Sequence, residues 1–190
     1  MIYYIADTHF GHERIIQLNN RPFANIDEMK EALINNWNRK AGKDDLVYIV
    51  GDFSMRSREH PVGILKRLNG HKILIEGNHD YKMLKDPKFR ECFEEICQIK
   101  NTVDNGRQVT LCHYPIIEWP NYFRNSYLVY AHIHNNTKNN AYRCMREEPR
   151  ALNAGVDINN FEPVTLDEMI VNNKIFNETH LWVPNRSATP

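Results

Sequence analysis

The residues of this chain best equipped for chemistry are Asp7 and His9, Asp52, Asn78 with His79 and Asp80, His113, and His132 with His134. Each group begins within three residues of the end of a short apolar run: Ile2 to Ala6, Leu46 to Val50, Lys72 to Ile75, Gln108 to Cys112 and Tyr127 to Ala131. Alone, an aspartate after a strand is commonly a turn residue, and a single histidine is commonly a hydrogen-bonded core side chain. Five such endings in one chain call for another explanation. Collected at one edge they supply carboxylates, imidazoles and an amide, with no thiolate. That donor set suits borderline divalent ions such as Mn²⁺, Fe²⁺ or Zn²⁺ and is too rich in nitrogen for Ca²⁺. The ligands outnumber what one ion takes, whereas two ions sharing a carboxylate would use them all. Two dications against two aspartates leave a positive centre that attracts an anion such as a phosphate ester.

The elements that must position these groups follow from the spacing between them. The first three runs have the length and β-branched content of buried strands. Asp27 can cap a helix to about Lys40, where Met29, Ala32, Leu33 and Trp37 recur at helical spacing before Gly42, and Arg58 to Leu68 reads as a second helix closed by Gly70. Strand, helix, strand, helix, strand implies parallel βαβ units with right-handed crossovers. These bring the strand ends to one edge, where open α/β sheets bind ligands. Glu13 to Leu18 is expected to be a short helix, and Tyr81 to Phe93 a helix broken near Pro87. Asn105 and Gly106 predict a hairpin between Gln98 to Val103 and Gln108 to Cys112. Asn135 to Asn140 reads as a loop and Ala151 to Val156 as a strand. Thr165 to Val171 reads as a helix with a Thr165/Glu168 capping box, and Leu181 to Val183 as a last strand. One domain over 1–184 with a tail over 185–190 is the expected organisation.

The 190 residues carry 24 lysines and arginines against 24 aspartates and glutamates. No global field draws the chain to nucleic acid or to an anionic membrane. No apolar stretch approaches the roughly 20 residues of a membrane span. The opening Met-Ile-Tyr-Tyr-Ile-Ala-Asp has no basic leader, and the four cysteines form no Cys-x-x-Cys pair. The expectation is a cytoplasmic protein with reduced thiols.

The ordered set Asp-x-His, Gly-Asp, Gly-Asn-His-Asp, His and His-x-His spans positions 7 to 134. It resembles the calcineurin-like metallophosphoesterase superfamily, particularly its small single-domain prokaryotic and phage members. The resemblance implies an α/β fold of four layers, α/β/β/α, with two mixed β-sheets flanked by helices. It also implies that Asp7, His9, Asp52 and His134 hold one metal and Asp52, Asn78, His113 and His132 the other, bridged by Asp52. A metal-bridging hydroxide would attack phosphorus. His79 would touch the phosphoryl oxygen and protonate the departing alkoxide, with Asp80 fixing its orientation. Two positions depart from the family pattern: Ala131 stands where the last motif usually opens with glycine, and Phe53-Ser54 follow Gly-Asp where an acidic residue or asparagine is often found. Neither removes a ligand, so both bear on substrate fit.

His12, Arg21 and Arg56 are the candidate substrate contacts, and Arg14 and Arg58 share the capacity to clamp a second phosphate, although most such arginines are merely solvated. Trp119, Tyr122 and Phe123 have the chemistry either to stack a base or to fill a core. The expected activity is hydrolysis of a small phosphorylated compound, a phosphodiester or nucleotide. A nuclease needs a basic groove, which balanced charge disfavours. A non-catalytic metal-binding module of this fold would have lost ligands or the catalytic histidine, and this chain keeps them all.

Overall fold

The structure is a computed structural model that describes residues 1–181. In chain order its elements are β1 (Ile2–Ile5), α1 (Glu13–Leu18), α2 (Ile26–Lys40), β2 (Leu46–Ile49), α3 (Pro61–Arg67), β3 (His71–Ile75), α4 (Pro87–Arg90), β4 (Glu95–Cys97), β5 (Ile99–Asp104), β6 (Arg107–Cys112), β7 (Tyr127–Tyr130), α5 (Asn140–Met145), β8 (Ala151–Asn153) and α6 (Leu166–Thr179). Strands β1 to β4 form one sheet in that order, parallel throughout. Strands β5 to β8 form the second, in which the β5/β6 hairpin is antiparallel and the remaining pairs are parallel.

The period-two alternation of the strands sets the layering. Tyr3, Ile5, Val47, Ile49 and Leu74 face outward under Met29, Leu33 and Trp37 of α2 and Ile64 and Leu65 of α3. Their neighbours Tyr4, Tyr48, Val50, Ile73 and Ile75 face inward and meet Val109, Leu111, Val129 and Leu152 of the second sheet. On the far side Leu128 and Tyr130 are covered by Tyr142 and Met145 of α5 and Phe176 of α6. The expected four layers are present, with mixed pairing confined to the second sheet. No helix among the described residues is long and apolar enough to cross a membrane.

Several element boundaries differ from the sequence reading, each for a local reason. The cap of α2 is Asn25, whose side chain accepts from Glu28 N–H, while Asp27 sits in the first turn. Pro61 opens α3 three residues later than expected, after His60, because its fixed φ suits the first helical position. The expected helix over Tyr81 to Phe93 is a 3₁₀ turn, Asp80–Lys85, followed by α4, with Asp86 capping the new start. A fourth strand, β4, joins β3 where none was expected. The Asn135 to Asn140 loop gives way to α5, which Asn139 caps and Tyr142 and Met145 anchor in the outer core. Helix α6 runs on to Thr179 because Asn173 is buried and its side chain bonds both Asn153 N–H and Asn153 O of β8. The predicted strand over Leu181 to Val183, Leu181 apart, and the tail over 185–190 lie outside the described residues.

Candidate metal centre

Backbone pairing continues past the ends of β1 and β2. Asp7 N–H donates to Gly51 O at 3.1 Å, His9 N–H to Asp52 O at 3.0 Å and Phe10 N–H to Phe53 O at 3.0 Å, so the two loops leave the sheet as a unit. Asp7, His9 and Asp52 take left-handed φ values of 54°, 49° and 54°, and His132 and His134 take 72° and 52°. For residues other than glycine this conformation costs about 1 kcal/mol each, and such strain gathers where side chains must be aimed. Close approach also excludes side chains at two positions. A Cβ on Gly51 would lie 2.3 Å from His113 Nδ1, and one on Gly77 would lie 2.4 Å from Asp52 N.

The side chains so aimed converge. One ligand atom from each of Asp7, His9 and His134 lies within 4.8 Å of the others, and the same holds for Asp7, Asp52 and His113. Asp52 Oδ2 stands 3.6 Å from both His9 Nε2 and His113 Nε2. Asn78 Oδ1 lies 3.1 Å from His113 Nε2 and 2.9 Å from His132 Nδ1. His132 N–H donates to Asp7 Oδ2 at 3.1 Å, which ties the second sheet to the first. All seven residues expected to bind metal are therefore brought together.

Three of the buried polar atoms here have no hydrogen-bond partner: Asp7 Oδ1, His9 Nδ1 and His9 Nε2. Buried polar atoms are seldom left this way, because an unmade bond costs about 1–3 kcal/mol. His113 Nδ1 lies 2.9 Å from Val50 O, a carbonyl that only accepts, so this nitrogen carries a proton and Nε2 is the ring atom turned toward the Asp52 carboxylate, 3.6 Å away. Acceptors facing acceptors in a buried pocket fit cations. Burial holds the His9 imidazole far below the usual histidine range and lowers His132 as well, which keeps both neutral and able to ligate. Burial raises the Asp7 carboxyl, opposed by His134 and His113. At His134 burial disfavours the cation, but Asp7 and Asp157 outweigh it and push the imidazole up to about 9.

Two of the expected roles are corrected. Arg21 does not face substrate: it is 4% exposed, its Nε donates to Asp157 Oδ1 at 2.8 Å, and its terminal nitrogens donate to Asp7 O at 2.7 Å and Thr8 O at 3.0 Å. Asp80 does not orient the His79 ring. Its carboxylate accepts the backbone N–H groups of Asp52, Gly77 and Phe53 at 2.9, 2.9 and 3.0 Å, locking the β2 and β3 loops together. His79 itself stands at the lip of a cavity of about 500 Å³ with Asn78, Tyr81 and Lys82. Its N–H donates to Asp52 Oδ1 at 2.8 Å and its Nε2 lies 4.0 Å from Asp52 Oδ2. His12 and Arg56 line a neighbouring cavity.

Trp119 is core, with Nε1–H on Ser126 O, while Tyr122 donates to Glu148 and carries the Arg150 guanidinium 4.8 Å from its ring centroid. Ala131 is fully buried between the sheets, where its methyl group is absorbed by packing, and Phe53 is buried under α4 with Ser54 bonded to Phe10 O. The sequence reading passed over Asp157. It accepts from Arg21 and sits 2.9 Å from His134 Nδ1, fixing that ring. A signal for it existed, because Asp157 follows the predicted strand over Ala151 to Val156 just as Asp7 follows Ile2 to Ala6.

The chain is 34% identical over 171 residues to an uncharacterised protein of Methanocaldococcus jannaschii, covering 89% of each. It is 27% identical to the gene 66 protein of Mycobacterium phage D29, over 82% of this chain and 87% of that one. A solved structure of a protein of unknown function from Aquifex aeolicus superposes with a TM-score of 0.68 at 30% identity, covering 88% of this chain and 96% of the other. The family model for calcineurin-like phosphoesterase matches residues 1–181, and the chain belongs to that family.

Proposed function

We propose that the chain hydrolyses a small phosphodiester or nucleotide with the aid of two divalent ions drawn from Mn²⁺, Fe²⁺ and Zn²⁺. The observation that carries this reading is the set of buried polar atoms on Asp7 and His9, without hydrogen-bond partners, around the Asp52 carboxylate. Asp7, His9, Asp52 and His134 would hold one ion, and Asp52, Asn78, His113 and His132 the other. Bound there, the ions supply Lewis acidity and ionise a water near neutral pH.

The remaining work falls to the chain. Asp157 orients His134, the Val50 carbonyl sets the tautomer of His113, and the His79 N–H holds Asp52 Oδ1. The His79 ring, which makes no hydrogen bond among the described residues and is about a third exposed, would bond a phosphoryl oxygen and give its proton to the departing alkoxide. The adjoining cavity has the size of a small-ligand site. The four cysteines are all free, in keeping with a reducing cytoplasm.

Chelator-stripped protein is expected to regain hydrolysis of bis(4-nitrophenyl) phosphate on addition of Mn²⁺. His79→Ala should lower kcat by about 10²–10⁴ with bound metal unchanged, whereas Asp52→Ala should lose metal and turnover together. A fully active His79→Ala protein removes that residue from the chemistry. A metal-loaded parent with no turnover leaves only a metal-binding module.

A further inference from the structure

Beside the metal cleft lies a second cavity, of about 440 Å³. His12 stands between the two, its ring 5.4 Å from that of His9, and Arg56 borders both. Arg14, Arg58 and Lys30 share the second cavity with the acids Glu13, Asp27 and Glu59. Those charges do not simply cancel. Asp27 and Glu59 both lie on Lys30, at 3.4 and 3.3 Å. Among the described residues no carboxylate reaches salt-bridge distance of Arg14, Arg56 or Arg58. Three guanidinium groups therefore border one concavity unpaired; with Lys30 they outnumber its three carboxylates, of which only Glu13 makes no ion pair among the described residues. His12 adds a buried Nδ1 that also has no hydrogen-bond partner.

The two segments that supply Gly11 and Ser57 to this cavity are tied together beside it. Ser54 Oγ–H and Met55 N–H both donate to Phe10 O, at 2.8 and 3.0 Å. Gly11 packs so tightly on Ser57 that an added Cβ would lie 2.1 Å from Ser57 Cα. Segments already fixed to each other spare a ligand part of the cost of ordering them.

We propose that this basic cavity is a second anion subsite, which receives a phosphate carried by the substrate beside the ester that is cut. Guanidinium groups pair with phosphate through two parallel hydrogen bonds, and a nucleotide-sized molecule fits the volume. The favoured substrate is then a phosphodiester of a nucleoside that bears a further phosphate on its sugar. The identity of the cut bond rests on the phosphoesterase reading, whereas the affinity of the cavity does not.

Calorimetric titration of the Mn²⁺-loaded protein with thymidine 3′,5′-bisphosphate and with thymidine 5′-monophosphate tests the subsite directly. The bisphosphate is expected to bind about tenfold more tightly, a preference that weakens as salt is raised. In the double variant Arg14→Gln/Arg58→Gln the ratio should fall to about one; both side chains are exposed, so folding is not at stake. Equal affinities in the parent, or a preference untouched in the double variant, overturn the subsite. Turnover is read separately with the 4-nitrophenyl ester of thymidine 5′-phosphate, with and without a 3′-phosphate. No turnover alongside a retained binding preference would sink the phosphoesterase reading alone, and turnover without any preference would sink the subsite alone. Competition by a single-stranded oligothymidylate distinguishes the source of the second phosphate: no advantage over the bisphosphate assigns it to a small molecule, and a large advantage assigns it to a strand.

Discussion

Asp7, His9 and Asp52 leave the first sheet on loops bonded to each other through their backbones, whereas His134 leaves the second on a loop anchored by two buried opposite charges, Asp157 and Arg21. Backbone pairing tolerates changes of side chain and of pH. A buried ion pair is different: the complete pair contributes little net stability, but removal of one partner strands the other in the core. One half of the centre is thus held by the ladder that builds the sheet. The other half depends on a carboxylate staying ionised.

The comparison breaks most visibly at Asp157. In metal-free protein Asp157→Asn is expected to cost about 3–5 kcal/mol, seen as a lower urea midpoint, because Arg21 loses its counter-charge. Burial alone would raise this carboxyl, but Arg21 and His134 outweigh it and hold it well below the ordinary 3.8. A group depressed in the folded state contributes fully above its unfolded value, and that contribution drains away as the pH falls below about 4. The parent should therefore lose stability steeply on the acid side and the variant less so; parallel acid limbs would show that the pair anchors nothing. On the other half, Asp80→Asn should cost only about 1–3 kcal/mol, since one backbone donor, Phe53 N–H, loses its acceptor while the ladder survives. A larger loss at Asp80 than at Asp157 would reverse the comparison. The smallest effect is expected at Phe123, which is 86% exposed and belongs to neither half: Phe123→Ser should stay within about 0.5 kcal/mol.

Most of the first half was legible because strand ends announce themselves: an apolar run stops, and a glycine or an acid follows. The roles of Arg21 and Asp80 were not legible in the same way. Both are charged residues near a ligand-bearing segment, and only burial reveals that one neutralises Asp157 and the other collects three backbone donors. Asp157 was readable in principle, but no histidine accompanies it, and Gly155 fell inside the predicted strand rather than after its end. Helix ends were obscured near asparagines: Asn139 lay in the predicted loop and Asn173 beyond the predicted helix end at Val171, yet one caps α5 and the other pins α6 to β8. Such residues change meaning with burial, and burial belongs to the tertiary structure.

The left-handed backbone at Asp7, His9, Asp52, His132 and His134 bears on how such a protein can drift over generations. Glycine adopts that conformation without strain, so replacing any one of these side chains by glycine relaxes its segment even as it empties the centre. Selection for durability alone would favour glycine here as it would at other left-handed residues such as Arg56 and Phe161, leaving a sturdier descendant stripped of these side chains. A full set of strained side chains at one point is therefore an expense that fold stability does not explain.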